Sequence, residues 1–179
     1  NAAFNEREDN VGGVGGRTLT LSGNNTDANE IQGVIQDNRT GSDAMNPIEE
    51  WVALRKIGAG RWSLSGANSY VGGTTVEAGS LLANNTAGSG TGTGAVTVSG
   101  GNLGGTGTIS GATVVSTGSL GTSDNIDSLT FTGGLDLQAG STFVWDLISN
   151  STTAGDFDTA TVSTTIPNWL GRFIRHRHK

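Results

Sequence analysis

The 179-residue sequence has no cysteine, two prolines and a single tyrosine. Without cysteine there is no disulfide framework, no thiolate zinc site and no redox pair. With proline only at Pro47 and Pro167, neither a polyproline linker nor a collagen-like helix can form. No run of about 18 apolar residues occurs, so no segment reads as a membrane-spanning helix. Charged residues make up only 15% of the chain, and between Trp62 and Gly171 there is no lysine or arginine, although Glu77 and six aspartates fall there. Nucleic-acid binding needs a basic stripe to neutralise phosphates, and the body of the chain lacks one. The start at Asn1, without a basic and apolar leader, reads as a mature protein after signal removal or as an internal fragment.

What is abundant is glycine, 30 residues, set among many threonines. Glycine serves backbone conformations closed to other residues, whereas threonine suits the half-buried surface of a sheet. Apolar residues are 34% of the chain. Low hydrophobicity with high charge would signal disorder, but here both are low. Such a chain can fill a thin, repetitive core more readily than one wide globular one.

Three parts follow from the pattern. Residues 1–50 hold nine of the sixteen acidic residues and read as an irregular acidic segment or first coils. Within them, Thr18–Ser22 alternates as a strand and Gly33–Asn38 reads as a second, short one. Pro47–Leu54 would suit a helical start, but Trp51–Leu54 is preferred as a strand. Residues 51–163 carry short alternating runs such as Trp62–Ser65, Thr74–Glu77, Ala95–Val98 and Leu129–Thr132, nearly all bounded by Gly, Asn or Asp. Residues 164–179 form a basic, apolar tail.

A loose repeat runs through the middle part. Val76-Glu77-Ala78-Gly79-Ser80-Leu81 returns as Val115-Ser116-Thr117-Gly118-Ser119-Leu120, and more weakly as Leu137-Gln138-Ala139-Gly140-Ser141-Thr142. The offsets of 39 and 22 residues correspond to two coils and one coil of a stacked fold with a repeat of about 20. Strands this short with glycine corners fit a parallel β-solenoid better than an antiparallel sandwich of hairpins. The expected fold is therefore all-β, with inward Val, Leu and Ile stacked coil upon coil.

The stretch from Gly58 to Leu81 closely resembles the autotransporter-associated β-strand repeat. The resemblance rests on Gly58, Gly60, Trp62, Leu64, Gly66, Asn68, Tyr70, Gly72, Thr74, Val76, Gly79 and Leu81, which match that repeat almost position by position. The later phrase Ala154–Val162 is also similar to one found in such passengers. The resemblance implies a right-handed parallel β-helix on a secreted bacterial surface protein. It implies no catalytic residue and no cofactor, because the repeat is a structural unit.

Few other residues suggest chemistry. Asp124 and Asp127, and Asp156 and Asp158, are weak calcium candidates, since hard cations want several oxygens in one turn. Capping of turns by Asp and Asn accounts for them more simply. In the tail, Trp169, Arg172, Phe173, Arg175 and Arg177 suggest a segment that caps the last coil, docks on a neighbour or rests on an acidic surface. His176 and His178 lack the third ligand that a metal site needs. Thr-x-Thr pairs begin at Thr18, Thr91, Thr106 and Thr130, but spacings of 73, 15 and 24 do not recur once per coil, which sets an ice-binding ladder aside. A glycan lyase or hydrolase would need clustered carboxylates with a base, and no Lys, Arg or His stands between Trp62 and Gly171.

The expected function is thus a non-catalytic, extracellular structural or adhesive solenoid, a passenger or stalk segment of a bacterial surface protein. A subunit of a filament stacked head to tail is the first alternative, and a glycan-acting enzyme the last. The expected partners are copies of the chain itself, end to end, or a host or extracellular-matrix surface.

Overall fold

Parallel stacking follows from the way short strands recur at the same angular position of successive coils. The computed structural model describes residues 2–5, 14–27, 29–37, 49–121, 127–147, 156–163 and 172–177. Among them there is no helix.

The strands fall into three sheets. The first contains β1 (Ala2–Asn5), β2 (Val14–Leu21), β4 (Glu49–Lys56), β6 (Thr74–Val76), β8 (Val96–Val98), β11 (Thr113–Val115) and β14 (Leu135–Leu137), in that order. The second runs β3 (Asn29–Ile31), β5 (Arg61–Leu64), β7 (Ser80–Ala83), β9 (Asn102–Gly104), β12 (Ser119–Leu120), β15 (Thr142–Leu147) and β17 (Arg172–Arg177). The third has β10 (Thr108–Ile109), β13 (Ser128–Phe131) and β16 (Thr159–Val162). Among the described residues every strand pairing between coils is parallel, β1 lies antiparallel against β2, and an isolated antiparallel bridge joins Asn68 to Ser89. This is an all-β parallel solenoid, not a sandwich.

Register sets the core. In the first sheet Leu21, Lys56, Val76, Val98, Val115 and Leu137 stand one above another. In the second, Trp62, Leu81, Leu103, Leu120 and Phe143 form the facing column. In the third, Ile109, Phe131 and Val162 close the interior. Val76, Val98, Leu81, Leu103 and Phe131 are fully buried, so each coil adds a few apolar side chains to one narrow core.

The repeated phrase is explained by this register. Val76 and Val115 are two coils apart, and Val115 and Leu137 one coil apart. Between them lies an unrecognised copy, Val98-Ser99-Gly100-Gly101-Asn102-Leu103, with asparagine in place of serine. Coil lengths vary: from Leu54 to Thr74 is 20 residues, to Val96 a further 22, to Thr113 17, and to Leu135 22.

The N-terminal part differs from expectation at one strand. β2 covers the expected alternation at Thr18, but Gly33–Asn38 is not a strand where described, and Asn38 lies outside the described residues. The strand of that coil is β3, just before it. The 34–37 stretch instead follows the loop 68–71, where Ile35 N–H donates to Asn68 Oδ1 at 2.8 Å and Ser69 N–H to the Ile35 carbonyl at 3.0 Å. A loop whose neighbours are side-chain amides satisfies its backbone without a ladder. Trp51–Leu54 is a strand, within β4.

Candidate functional site

The twelve motif residues make up one coil, and the structure gives them architectural duties. Trp62, Leu64, Val76 and Leu81 point into the core, and Trp62 Nε1 donates to the Ser22 carbonyl of the coil before at 3.2 Å. Asn68, buried, takes the Ile35 N–H on one side and donates Nδ2 to the Gly90 carbonyl at 2.7 Å on the other, so one amide joins three coils. Tyr70 is fully buried; its hydroxyl shares a 2.6 Å hydrogen bond with Thr74 Oγ1, which also donates to the Thr91 carbonyl at 3.2 Å. Burial pushes the Tyr70 phenol well above its usual range, so it remains a neutral strut. Gly58, Gly60, Gly66 and Gly72 sit where the preceding coil leaves no room for a Cβ: for Gly60 the Asn25 carbonyl would be 2.6 Å away.

Gly79 is the tightest of these positions in consequence. Its φ of +66° is a left-handed conformation, and a Cβ there would meet the Gly58 and Gly60 carbonyls and stand 2.6 Å from Lys56 Nζ. Lys56 itself replaces an apolar residue in the core column, fully buried between Leu21 and Val76. Its ammonium donates to the carbonyls of Ile57 (3.0 Å), Gly58 (2.8 Å) and Ala78 (2.9 Å). Burial pushes the amine below the usual lysine range, and the three carbonyls favour its charged form. Sequence reasoning missed this residue, because a lysine in an alternating strand reads as solvent-facing.

The aspartates divide between the two parts of the calcium reading. Asp124 lies outside the described residues, and Asp156 is half-buried. Asp127 and Asp158 are brought together, both buried, with the buried Asp146 beside them. Asp158 Oδ1 accepts the Asp127 N–H at 2.7 Å and Oδ2 the Asp146 N–H at 2.8 Å. Asp127 Oδ1 accepts the Gly105 N–H at 2.6 Å. These oxygens face backbone donors, the geometry of capping rather than of cation binding. Among the described residues no group of three His, Asp or Glu is placed to hold a metal. The caps are buried.

Asp158 gives a pH dependence. Burial, and then the neighbouring Asp127 and Asp146 charges, push its carboxyl up to about 6, against the two backbone N–H bonds. Between about 4 and about 6 the folded chain keeps a proton that the unfolded chain has released, so its contribution to stability is present at low pH and declines as pH rises through that window. Replacing Asp158 by Asn removes the titration and turns an amide N–H₂ against one of the two donors. In thermal melts the advantage of wild type over Asp158→Asn is expected to narrow by a few degrees between pH 4 and pH 7.5. A gap that widens over that range contradicts the assignment.

Of the tail, Trp169 lies outside the described residues. Arg172, Phe173, Arg175 and Arg177 lie on β17, in register with Thr142, Phe143, Trp145 and Leu147 of β15.

A family model described as passenger-associated-transport-repeat matches residues 54–83, the span from the buried Leu54 through the Asn68 and Tyr70 struts to Ala83. No curated protein and no solved structure matches the chain. The passenger repeat supports assignment to the autotransporter passenger repeat family, and it implies a secreted or surface protein. No helix among the described residues is long and apolar enough to cross a membrane.

Proposed function

We propose that the chain is a rigid, non-catalytic rod, a passenger or stalk segment that holds other parts of a bacterial surface protein away from the cell. The carrying observation is the unbroken stack: seven strands of the first sheet succeed one another, a rise of about 29 Å over six steps. The buried and hydrogen-bonded side chains of the passenger repeat are spent on coil-to-coil contacts, with none grouped as nucleophile, acid or base. Fold alone would not exclude a glycan-cleaving enzyme, but such chemistry needs paired carboxylates open to substrate. Asp127 and Asp158 are instead closed over backbone donors. Incubated with a panel of acidic and neutral polysaccharides, the chain is expected to release no reducing ends and no unsaturated products. Turnover of any of them overturns the non-catalytic reading.

End-to-end self-association is a second reading, favoured by the edges of the second sheet. Among the described residues β3 at one end and β17 at the other are paired on one side only. The acidic first 50 residues and the Arg-rich strand β17 have complementary charge for a head-to-tail junction that does not close on itself. Light scattering at low salt is expected to show assembly that dissolves with added salt; monomers at all concentrations and salts remove this reading.

A further inference from the structure

The outer face of the third sheet carries a feature that sequence spacing hides. Thr108, Thr130 and Thr161 are register partners on β10, β13 and β16, and Ser128 stands beside Thr159. The ladder continues past the strand ends. Ser128 N–H donates to the Gly105 carbonyl at 2.9 Å, Thr132 N–H to Ile109 at 3.0 Å and Ser163 N–H to Phe131 at 3.0 Å. These bonds place Thr106 beside Ser128, and align Ser110, Thr132 and Ser163. The result is three ranks of three: Thr106, Ser128 and Thr159; Thr108, Thr130 and Thr161; Ser110, Thr132 and Ser163. All nine positions bear a hydroxyl, while the intervening Ile109, Leu129 and Phe131 are buried. The coils that separate the members of each rank are 22 and 31 residues long, which is why the array is not periodic in the sequence.

We propose that this face binds the ordered water layer of an ice surface. Adjacent strands set the hydroxyls about 4.8 Å apart in one direction and alternate residues set them about 6.7 Å apart in the other. Both lie close to the spacings of water oxygens along the two axes of a prism face of hexagonal ice. The array is uncharged, and it is fixed by hydrogen-bonded backbone rather than by flexible side chains. Hydroxyl contacts within the protein are few: Ser128 and Thr159 share one at 2.9 Å, and Thr132 Oγ1 reaches the Ile109 carbonyl at 3.4 Å. Ice is favoured over two other occupants. Three strands by five residues cover on the order of 240 Å², far below the roughly 800 Å² per partner of a stable protein interface. A polysaccharide would seek an aromatic platform or charged and amide groups, and these nine positions offer neither. The Thr91 pair takes no part, since Thr91 is fully buried.

The test is inhibition of ice recrystallisation by the purified chain. Wild type is expected to keep ice grains small at micromolar concentration. Thr130→Arg, a bulky charge at the centre of the array, is expected to require roughly tenfold more protein for the same effect, equivalent to about 1.4 kcal/mol. Thr97→Arg, an exposed position on the outer face of the first sheet, is expected to behave as wild type. Circular dichroism and melting temperature check that each variant folds, and Thr161→Arg on the outermost strand serves if Thr130→Arg does not. Grains that grow as fast with wild type as with an inert protein overturn the proposal. So does equal loss in Thr97→Arg, or a dimer by sedimentation that Thr130→Arg disrupts.

Discussion

Replacing Lys56 by alanine is expected to cost about 4 kcal/mol of stability and to lower the melting temperature by roughly ten degrees. Two losses combine. The aliphatic stem fills the core column between Leu21 and Val76, and its removal leaves a cavity where neighbouring coils cannot collapse. The ammonium also leaves, and the carbonyls of Ile57, Gly58 and Ala78 lose a shared donor. Lys56→Met keeps the stem and loses only the donor, so its cost is expected to be about half as large, near 2 kcal/mol. Lys56→Glu sets a carboxylate against three carbonyl oxygens and is expected to prevent folding. Chemical denaturation of the three variants checks the order Met, Ala, Glu. An alanine variant as stable as wild type would mean that the lysine faces solvent.

Gly79→Ala is expected to be almost as damaging, at more than 3 kcal/mol. Alanine at φ +66° is strained in itself, and its Cβ would press on the Gly58 and Gly60 carbonyls and on Lys56 Nζ. The corner has no slack, because the Gly58 carbonyl accepts from the Lys56 ammonium and the Gly60 carbonyl from the Ser80 N–H. Gly33→Ala provides the comparison: no atom lies within 4 Å of the added carbon, and its effect is expected to stay within about 0.5 kcal/mol. Since Gly79 and Lys56 touch, a double variant should fall short of the sum of the two losses.

How much of this was visible in the sequence depends on which force wrote each residue. The passenger repeat was legible because steric demands are strict: glycine at corners, and Trp62, Leu64, Val76 and Leu81 in the core. The offsets of 39 and 22 residues translated into coils because the inward column is apolar at Val76, Val98, Val115 and Leu137. The copy at Val98–Leu103 escaped notice because Asn102 stands where the others have Ser or Thr, a position on the outer face that tolerates both. Lys56 escaped because its partners are main-chain carbonyls, which leave no trace in residue identity. The Asp127–Asp158 staple escaped for a similar reason, since those residues cap N–H groups 22 and 31 positions away. The hydroxyl ranks of the third sheet were hidden by unequal coil lengths. Sequence periodicity finds a ladder only when every coil has the same length, whereas register needs only that each coil return to the same height.

The central claim is that successive strands lie parallel and in register, coil on coil. Because the chain has no cysteine, two introduced ones report on it without interference. Thr75 and Thr97 are register partners on the outer face of the first sheet, and Val114 is the next residue in that column. Neighbouring strands bring Cα atoms within the 4.4–6.8 Å range that a disulfide accepts, whereas two coils separate them by about 9.6 Å. Mild oxidation of Thr75→Cys/Thr97→Cys is expected to give an intramolecular disulfide, found as a linked peptide by mass spectrometry, and Thr75→Cys/Val114→Cys is expected to remain reduced. Failure of the first pair to close, or equal closure of the second, would contradict the stacked solenoid.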